Sequence, residues 1–490
     1  MSKIMTWCTG LAVVGALAGS GQPAAAVRAA GSWGRAIAVP AARAAVPAAG
    51  TWGKAIAVPG LRALNTRGAA EVSSVSCASA GSCAAGGLYR DRHGQQGFVA
   101  VERHGRWGRA TGVPGLAALN QGGYADVSAV SCGSAGSCAA GGSYADADSH
   151  DFYGFVAVER DGVWGRAATV PAGADGYVDS ISCASAGNCL AGGADGAIYT
   201  ANFNAFFVEE RAGHWGHRRP VPGLRTLKHI DSEISAVACP SAGNCAAGGD
   251  YDDPSGNLQV FVAVERNGTW GTAAGVPGLA ALNMGGEAEV NSVSCGSAGD
   301  CAAGGHYTDR SGHRQGFVAV ERDGIWGAAT GVPGLGALNK RGNADVNSVS
   351  CGSAGNCAAG GYYKDGGGRY QGFVAVERNG RWGTVIRVPG LAALNKRGDA
   401  KVNSVSCASA GSCAAGGYYT DRSRHRQGFV AVERNGVWGT ATGVPGLAAL
   451  NAGRSAEVGS LSCPSPGRCA AGGSFRGRSG RRQGFVTQPR

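Results

Sequence analysis

"VNSVSCGSAGDCAAGGHYTDRSGHRQGFVAVERDGIWGAATGVP", residues 290–333, decides the fold of this chain. Val290, Val293 and Cys295 mark a first short strand and "CAAGGHY" a second. "GFVAVER" reads as a third strand, β-branched and alternating, and "IWGAATGVP" as a fourth. Asp323 and Gly324 stand between the last two, and Asn-Gly or Asp-Gly recurs at Asp161, Asn267, Asn379 and Asn435. These dipeptides supply the positive φ angles of a two-residue type I′ hairpin. Four antiparallel strands joined by hairpins make one blade of a β-propeller.

Near copies of the stretch run through the 490-residue chain, each with one cysteine pair: Cys77/Cys83, Cys132/Cys138, Cys183/Cys189, Cys239/Cys245, Cys295/Cys301, Cys351/Cys357, Cys407/Cys413 and Cys463/Cys469. A repeat of 51 to 56 residues is the signature of an array whose units stack or close on one another. The ends of the array decide between beads and a ring. The first unit is entered at "GTWGKAIAVPG" (50–60), a fourth strand alone, and the last is left at "RRQGFVTQPR" (481–490), after strands one to three. The missing pieces complement each other, so the strand around Trp52 is expected to complete the last blade and remove the free sheet edges. The expected fold is all-β, an eight-bladed propeller of four-stranded blades; "GSWGRAIAVP" around Trp33 duplicates the closing strand.

The first 26 residues hold one Lys, an uncharged run from Ile4 to about Gly21, and then Ala24, Ala25 and Ala26. This reads as a cleaved secretory signal, followed by an extension (27–49) and the propeller (50–490). No later stretch is apolar enough to span a membrane. Cys8 falls in the leader, and the other sixteen cysteines pair without remainder, as expected of disulfides in an oxidising compartment. Zinc would need closer spacing and further ligands, so no metal and no cofactor is expected. Each bridge closes a short hairpin loop, which contributes roughly 2 kcal/mol by chain entropy.

The order "V-x-S-V-S-C … C-A-A-G-G … F-V-A-V-E-R-N-G-x-W-G" resembles the S-C-x-S-x-x-x-C-x-A-x-G repeat of exported bacterial proteins, and more distantly the Asp-box repeat of sialidase-type propellers. Glu265 stands where the Asp-box aspartate would, five residues before Trp270, but Gly268 is one position too near the tryptophan and no Ser precedes the acid. The resemblance implies blade geometry and carries over no catalytic residue.

Residues that recur in every unit read as structural. Trp107, Trp164, Trp215, Trp270, Trp326, Trp382 and Trp438 are expected between blades, and the Glu of "VER", as in Glu321 and Glu377, as a paired charge beside its Arg. Chemistry would lie in departures from the repeat. No convergent carboxylate pair, Tyr–Glu pair with an arginine triad, or nucleophile elbow stands out, so no catalytic residue is named. The acidic loops with Asp146, Asp148 and Asp151 and with Asp250, Asp252 and Asp253 read as solvated turns, calcium being the alternative. Tyr199, Phe203, Phe206 and Phe207 in the third blade read as strand packing, an exposed contact site being the alternative.

The loops between strands two and three of blades five to eight and one are basic. They carry Arg310 and Arg314, Lys364 and Arg369, Arg422, Arg424 and Arg426, Arg476, Arg478, Arg481 and Arg482, and Arg90 and Arg92. In a closed ring they form one arc, joined by Lys340, Arg341, Lys396, Arg397 and Arg454. With a formal net charge of +11, this predicts a secreted, monomeric, non-catalytic binding or scaffold propeller whose ligand is an anionic envelope polymer, glycan or protein. Nucleic acid is disfavoured by export and by the lack of a reading motif. The alternative is a glycan-acting hydrolase with a site at the central funnel, which a symmetry-breaking carboxylate pair there would put first.

Overall fold

The computed structural model describes residues 52–147, 152–170, 176–196, 203–227, 231–396 and 398–488. The chain divides into residues 1–48 and 49–490, and only the second unit falls among the described residues. The expected leader and the duplicate strand at Trp33 therefore lie outside them, as do Asp148, Asp151, Tyr199 and Arg397.

Eight antiparallel sheets form a ring, as the repeat predicts. In blade five the strands are Ala288–Ser297, Asp300–Thr308 and Arg314–Arg322, followed by an outer strand in two pieces, Ile325–Trp326 and Thr330–Gly331, both paired with the third. First strands of successive blades pack against one another and so surround the axis. The Asp323–Gly324 turn has positive φ at both residues (48° and 72°), as a type I′ hairpin requires. The strand Ile56–Ala57 pairs with Arg482–Thr487, Ile56 opposite Val486, and completes the eighth blade.

The "S-V-S-C" serines, unassigned from sequence, tie the inner strands together. Ser292 and Ser294 accept the backbone N–H groups of Val349 and Cys351 in the next blade, each at 3.0 Å. The same bonds cross the closing seam, from Val75 to Ser460 and from Cys77 to Ser462. Between blades the core is aliphatic and aromatic: Val290, Val293 and Phe317 of blade five meet Ala246 and Val260 of blade four.

All eight expected cysteine pairs are bridged, with Cα atoms 3.9 to 4.1 Å apart: Cys77–Cys83, Cys132–Cys138, Cys183–Cys189, Cys239–Cys245, Cys295–Cys301, Cys351–Cys357, Cys407–Cys413 and Cys463–Cys469. The bridges belong to the framework of each blade. The short loop that each one closes suggests a surface position, yet Cys138, Cys301, Cys357 and Cys413 are only 3 to 4% exposed. They pack into the interblade core, Cys138 with Val127 and Phe155, Cys301 with Val290 and Phe317, and Cys413 with Val402 and Phe429. The second strand lies in the middle of its sheet, so its cysteine is covered by the neighbouring blade while the turn beside it stays in solvent.

Two further expectations change. Among the described residues only Trp52 and Trp438 are buried tryptophans; Trp107, Trp164, Trp215, Trp270, Trp326 and Trp382 are half-buried, because the outer strand lies at the rim, where part of each ring meets solvent. The "VER" glutamates are buried, and Glu159, Glu210, Glu265, Glu377 and Glu433 are paired, but with the arginine of the preceding blade: Arg160 reaches Glu210 at 3.4 Å, Arg211 reaches Glu265 at 3.0 Å and Arg378 reaches Glu433 at 3.7 Å, while Glu102 and Glu321 have no arginine within 4.0 Å among the described residues. Neighbours in a strand point to opposite faces, so Glu and its own Arg diverge.

Candidate functional site

One face of the ring carries both the loops between strands two and three and the connections between blades. Backbone bonds interlock them: Arg341 N–H donates to Lys364, Lys396 to Thr420, Gly453 to Arg476, Arg482 to Gly68, and Arg67 to Arg90. The arc from blade five through blade eight to blade one is thus continuous.

An aspartate organises these loops. Asp309 Oδ1 accepts the backbone N–H groups of Ser311 (2.8 Å) and His313 (3.0 Å), and Oδ2 accepts the Gln315 amide (3.0 Å). Burial raises the Asp309 carboxyl, but the bonds from Gln315, His313 and Ser311 outweigh it and leave it below the usual range. Asp421 makes the same three bonds and Asp365 a similar pair. Buried Asn339 extends the clamp, donating to the Arg314 carbonyl (2.9 Å) and to the Gln315 side chain (3.0 Å). The loops of blades five to seven are therefore held from within, while Arg310, Arg369, Arg422 and Arg424 at their turns are exposed.

Arg90, Arg92, Arg310, Arg369, Arg422, Arg424, Arg476 and Arg478 are exposed, and among the described residues none has a carboxylate within 4.0 Å. Lys364 is half-buried, its ammonium 5.4 Å from the Tyr370 ring centroid. Arg314 and Arg426 depart from expectation. They lie in third strands and turn inward: Arg314 approaches Asp345 (3.4 Å) and Glu289 (3.6 Å), and Arg426 approaches Glu457 (3.0 Å) and covers Tyr418. Arg482 likewise bridges Glu71 and Glu457 across the seam.

These inward arginines meet an axial ring that the sequence reading did not assemble. Equivalent inner-strand positions hold Glu71, Asp126, Tyr177, Glu233, Glu289, Asp345, Lys401 and Glu457. Alignment of the repeats was the available signal; the position varies in charge while its valine neighbours hardly vary. Glu71, Glu289, Asp345 and Glu457 have guanidinium partners. Burial pushes Asp345 up to about 7 although Arg314 pulls it down, and burial beside Arg314 lowers His306 to about 3, so that its ring is neutral.

Blades three and four break the symmetry. Tyr177 donates its hydroxyl to Glu233 Oε2 at 2.6 Å, and burial, then Glu233, raises the tyrosine. Burial and the Glu233 charge push Asp179 up to about 8. Asp250 is engaged structurally, accepting Val290 N–H (2.9 Å) and Ser235 (3.1 Å). A cavity of about 210 Å³ adjoins them, lined by Tyr177, Phe203, Asp231, Glu233 and Glu289 among others. A tyrosine–glutamate pair is thus present where the sequence showed none, because its members lie 56 residues apart and meet only near the axis.

Metal ligation has weak support. Glu287, Glu289 and His306 bring three ligand atoms within 4.8 Å of one another, but Arg314 stands 2.7 Å from His306 Nδ1 and already balances Glu289. The calcium alternative at blade four also fails on geometry: Asp250 faces inward, whereas Asp253 accepts Ser255 and Asn257 N–H as the turn aspartate. Phe206 and Phe207 are buried strand residues, as the packing reading held.

No family model and no curated protein matches the sequence. Among solved structures the chain is similar to Chaetomium thermophilum Sqt1 bound to the N-terminus of ribosomal protein L10, at 13% identity over 86% of this chain and 96% of that one (TM-score 0.48). It is similar to a PL25 ulvan lyase bound to -[GlcA(1-4)Rha3S]-, at 10% identity over 90% and 96% (TM-score 0.45). It is also similar to Hadza microbial sialidase Hz136, at 10% identity over 69% and 72% (TM-score 0.36).

Proposed function

We propose that this chain is an extracellular, non-catalytic binding propeller whose basic arc holds an anionic polymer of the cell envelope, such as an acidic polysaccharide or a teichoic-acid-like chain. The observation that carries the reading is the division of the arginines. Those facing the axis are neutralised by carboxylates, whereas those on adjacent loops of blades five to eight and one are exposed without one. Long-range attraction to a polyanion depends on such uncompensated charge. Eight disulfides suit an oxidising, extracellular compartment.

Retention on isolated cell-envelope material tests it. The triple change Arg310→Ser, Arg422→Ser and Arg424→Ser lowers retention in low salt, while Asp252→Asn leaves it unchanged. Raising salt from 0.1 M to 1 M, which shortens the Debye length from ~10 Å to ~3 Å, releases the wild type. Equal retention of both variants, or indifference to salt, overturns the reading.

The second reading, a glycan-acting hydrolase at the axial mouth, is favoured by the Tyr177–Glu233 bond beside Asp179. A carboxyl raised by burial, as Asp179 is, close to a second acidic side chain is an arrangement that acid–base chemistry uses. It ranks second because the adjoining cavity, about 210 Å³, is below the ~300 Å³ at which ligand pockets usually begin. Release of reducing ends from envelope glycans, lost in Glu233→Gln and Asp179→Asn, would put it first.

A further inference from the structure

On the face opposite the arc, the turn between the third and outer strands rests on the loop that the disulfide closes. In blades four, six and seven that turn is Asn-Gly: Asn267 and Gly268, Asn379 and Gly380, Asn435 and Gly436. Both residues of each turn have positive φ, 48° and 78° in blade four, 49° and 74° in blade six, and 48° and 76° in blade seven. All three asparagines are exposed.

An asparagine before a glycine carries its own chemistry. The glycine nitrogen, which no neighbouring side chain shields, attacks the asparagine Cγ. The new N–Cγ bond closes a cyclic imide, the Cγ–Nδ2 bond breaks, and ammonia leaves with the proton of the glycine N–H. Water then opens the imide at one carbonyl or the other, giving aspartate or isoaspartate. The reaction needs a glycine nitrogen that is free to lose its proton and to approach Cγ.

The fold withholds that nitrogen. Gly268 N–H donates to the Gly243 carbonyl at 2.8 Å, Gly380 N–H to Gly355 at 2.8 Å and Gly436 N–H to Gly411 at 2.9 Å. Each acceptor sits at positive φ inside a disulfide ring: Gly243 between Cys239 and Cys245, Gly355 between Cys351 and Cys357, and Gly411 between Cys407 and Cys413. The bridge thus fixes the carbonyl that holds the glycine N–H. Blades four and six add a second tie, in which Asn244 Oδ1 accepts Asn267 N–H (3.2 Å) and Asn356 Oδ1 accepts Asn379 N–H (3.4 Å). Blade seven has Ser412 at that position.

We propose that Asn267, Asn379 and Asn435 are self-modifying sites, held closed by the adjoining disulfide and converted to aspartyl and isoaspartyl residues once that bridge is opened, Asn435 fastest. The opening agent is a dithiol, which passes two electrons and two protons to the bridge and becomes a disulfide itself. The aspartyl product fits the turn, because Asp161 and Asp323 already occupy it at positive φ in blades two and five. The isoaspartyl product does not fit, since it adds a backbone methylene to a two-residue hairpin and displaces the outer strand that follows. Such a turn keeps a covalent record that its bridge was once open.

Incubation of the full chain at pH 8, followed by peptide mapping that separates asparaginyl, aspartyl and isoaspartyl forms, tests it. Replacing Cys407 and Cys413 by Ser speeds conversion of Asn435 about tenfold and leaves Asn267 and Asn379, whose bridges are intact, at their wild-type rates. This difference between sites separates a local release from a general loss of stability. Ser412→Asn, which supplies the second tie and leaves the bridge in place, slows Asn435 to the rate of Asn379. A dithiol added to the wild type speeds all three. An unchanged rate at Asn435 in the serine variant, equal acceleration of all three sites in that variant, no effect of Ser412→Asn, or indifference of the wild type to the dithiol overturns the proposal.

Discussion

Thr487 donates its hydroxyl to the Gly53 carbonyl at 2.9 Å, a buried bond between residues 434 positions apart. It fastens the closing strand to the third strand of the eighth blade. The same slot holds alanine in six blades and Val208 in blade three, neither of which can donate.

The closing strand is therefore expected to carry stability that no single blade holds. Deleting residues 50–59 leaves the eighth sheet with an open edge, lowers the melting temperature and promotes aggregation measured by light scattering. Thr487→Val, which removes one net hydrogen bond, costs about 1 kcal/mol in denaturant unfolding. An unchanged melting temperature in the deletion would argue for independent blades.

Replacing Cys351 and Cys357 by Ser lowers stability by roughly 2 kcal/mol and leaves retention on envelope material intact, because the bridge lies on the face opposite the arc. Peptide mapping without reduction finds each cysteine pair in one short peptide. Bridges joining different blades would contradict the register, in which Cys351 is directly opposite Cys357.

Arg426 and Arg422 belong to one loop sequence but have different duties. Arg426→Ser removes the contacts to Glu457 and Tyr418 and is expected to lower the melting temperature. Arg422→Ser removes only exposed charge, so the melting temperature stays within a degree or so and retention at low salt falls. Equal loss of stability in both variants would remove the distinction between inward and outward arginines.

The buried glutamates give stability a pH dependence of defined sign. Burial pushes Glu321 up to about 7, above the usual glutamate value of 4.5, although Arg266 opposes it. The folded state then binds more protons than the unfolded one between these values, so stability falls as pH rises from about 4.5 to about 7. In Glu321→Gln the fall in melting temperature from pH 5 to pH 8 is shallower than in the wild type. An identical slope would show that Glu321 ionises as freely in the folded protein as in the unfolded one.

The local alternation of "GFVAVER", the Asn-Gly turns, the even cysteine count and the complementary ends are properties of short segments, and they were enough to determine blades, bridges and a closed ring. Each is a rule about neighbours in sequence, and repetition states it eight times. What only the tertiary structure decided is which groups meet and which are covered. Cys138, Cys301 and Cys413 pair as their spacing predicts, yet their burial depends on the blade packed beside them. Arg314 and Arg310 look alike in "TDRSGHRQ", but strand pleating turns the first toward Asp345 while the turn built on Asp309 leaves the second in solvent. Tyr177 and Glu233, and Glu102 and Gln488, belong to different blades, and they come together through the angle at which one sheet stacks on the next. Electrostatic energy depends on distance and burial in space, which a repeat sets only once its blades are packed around a common axis.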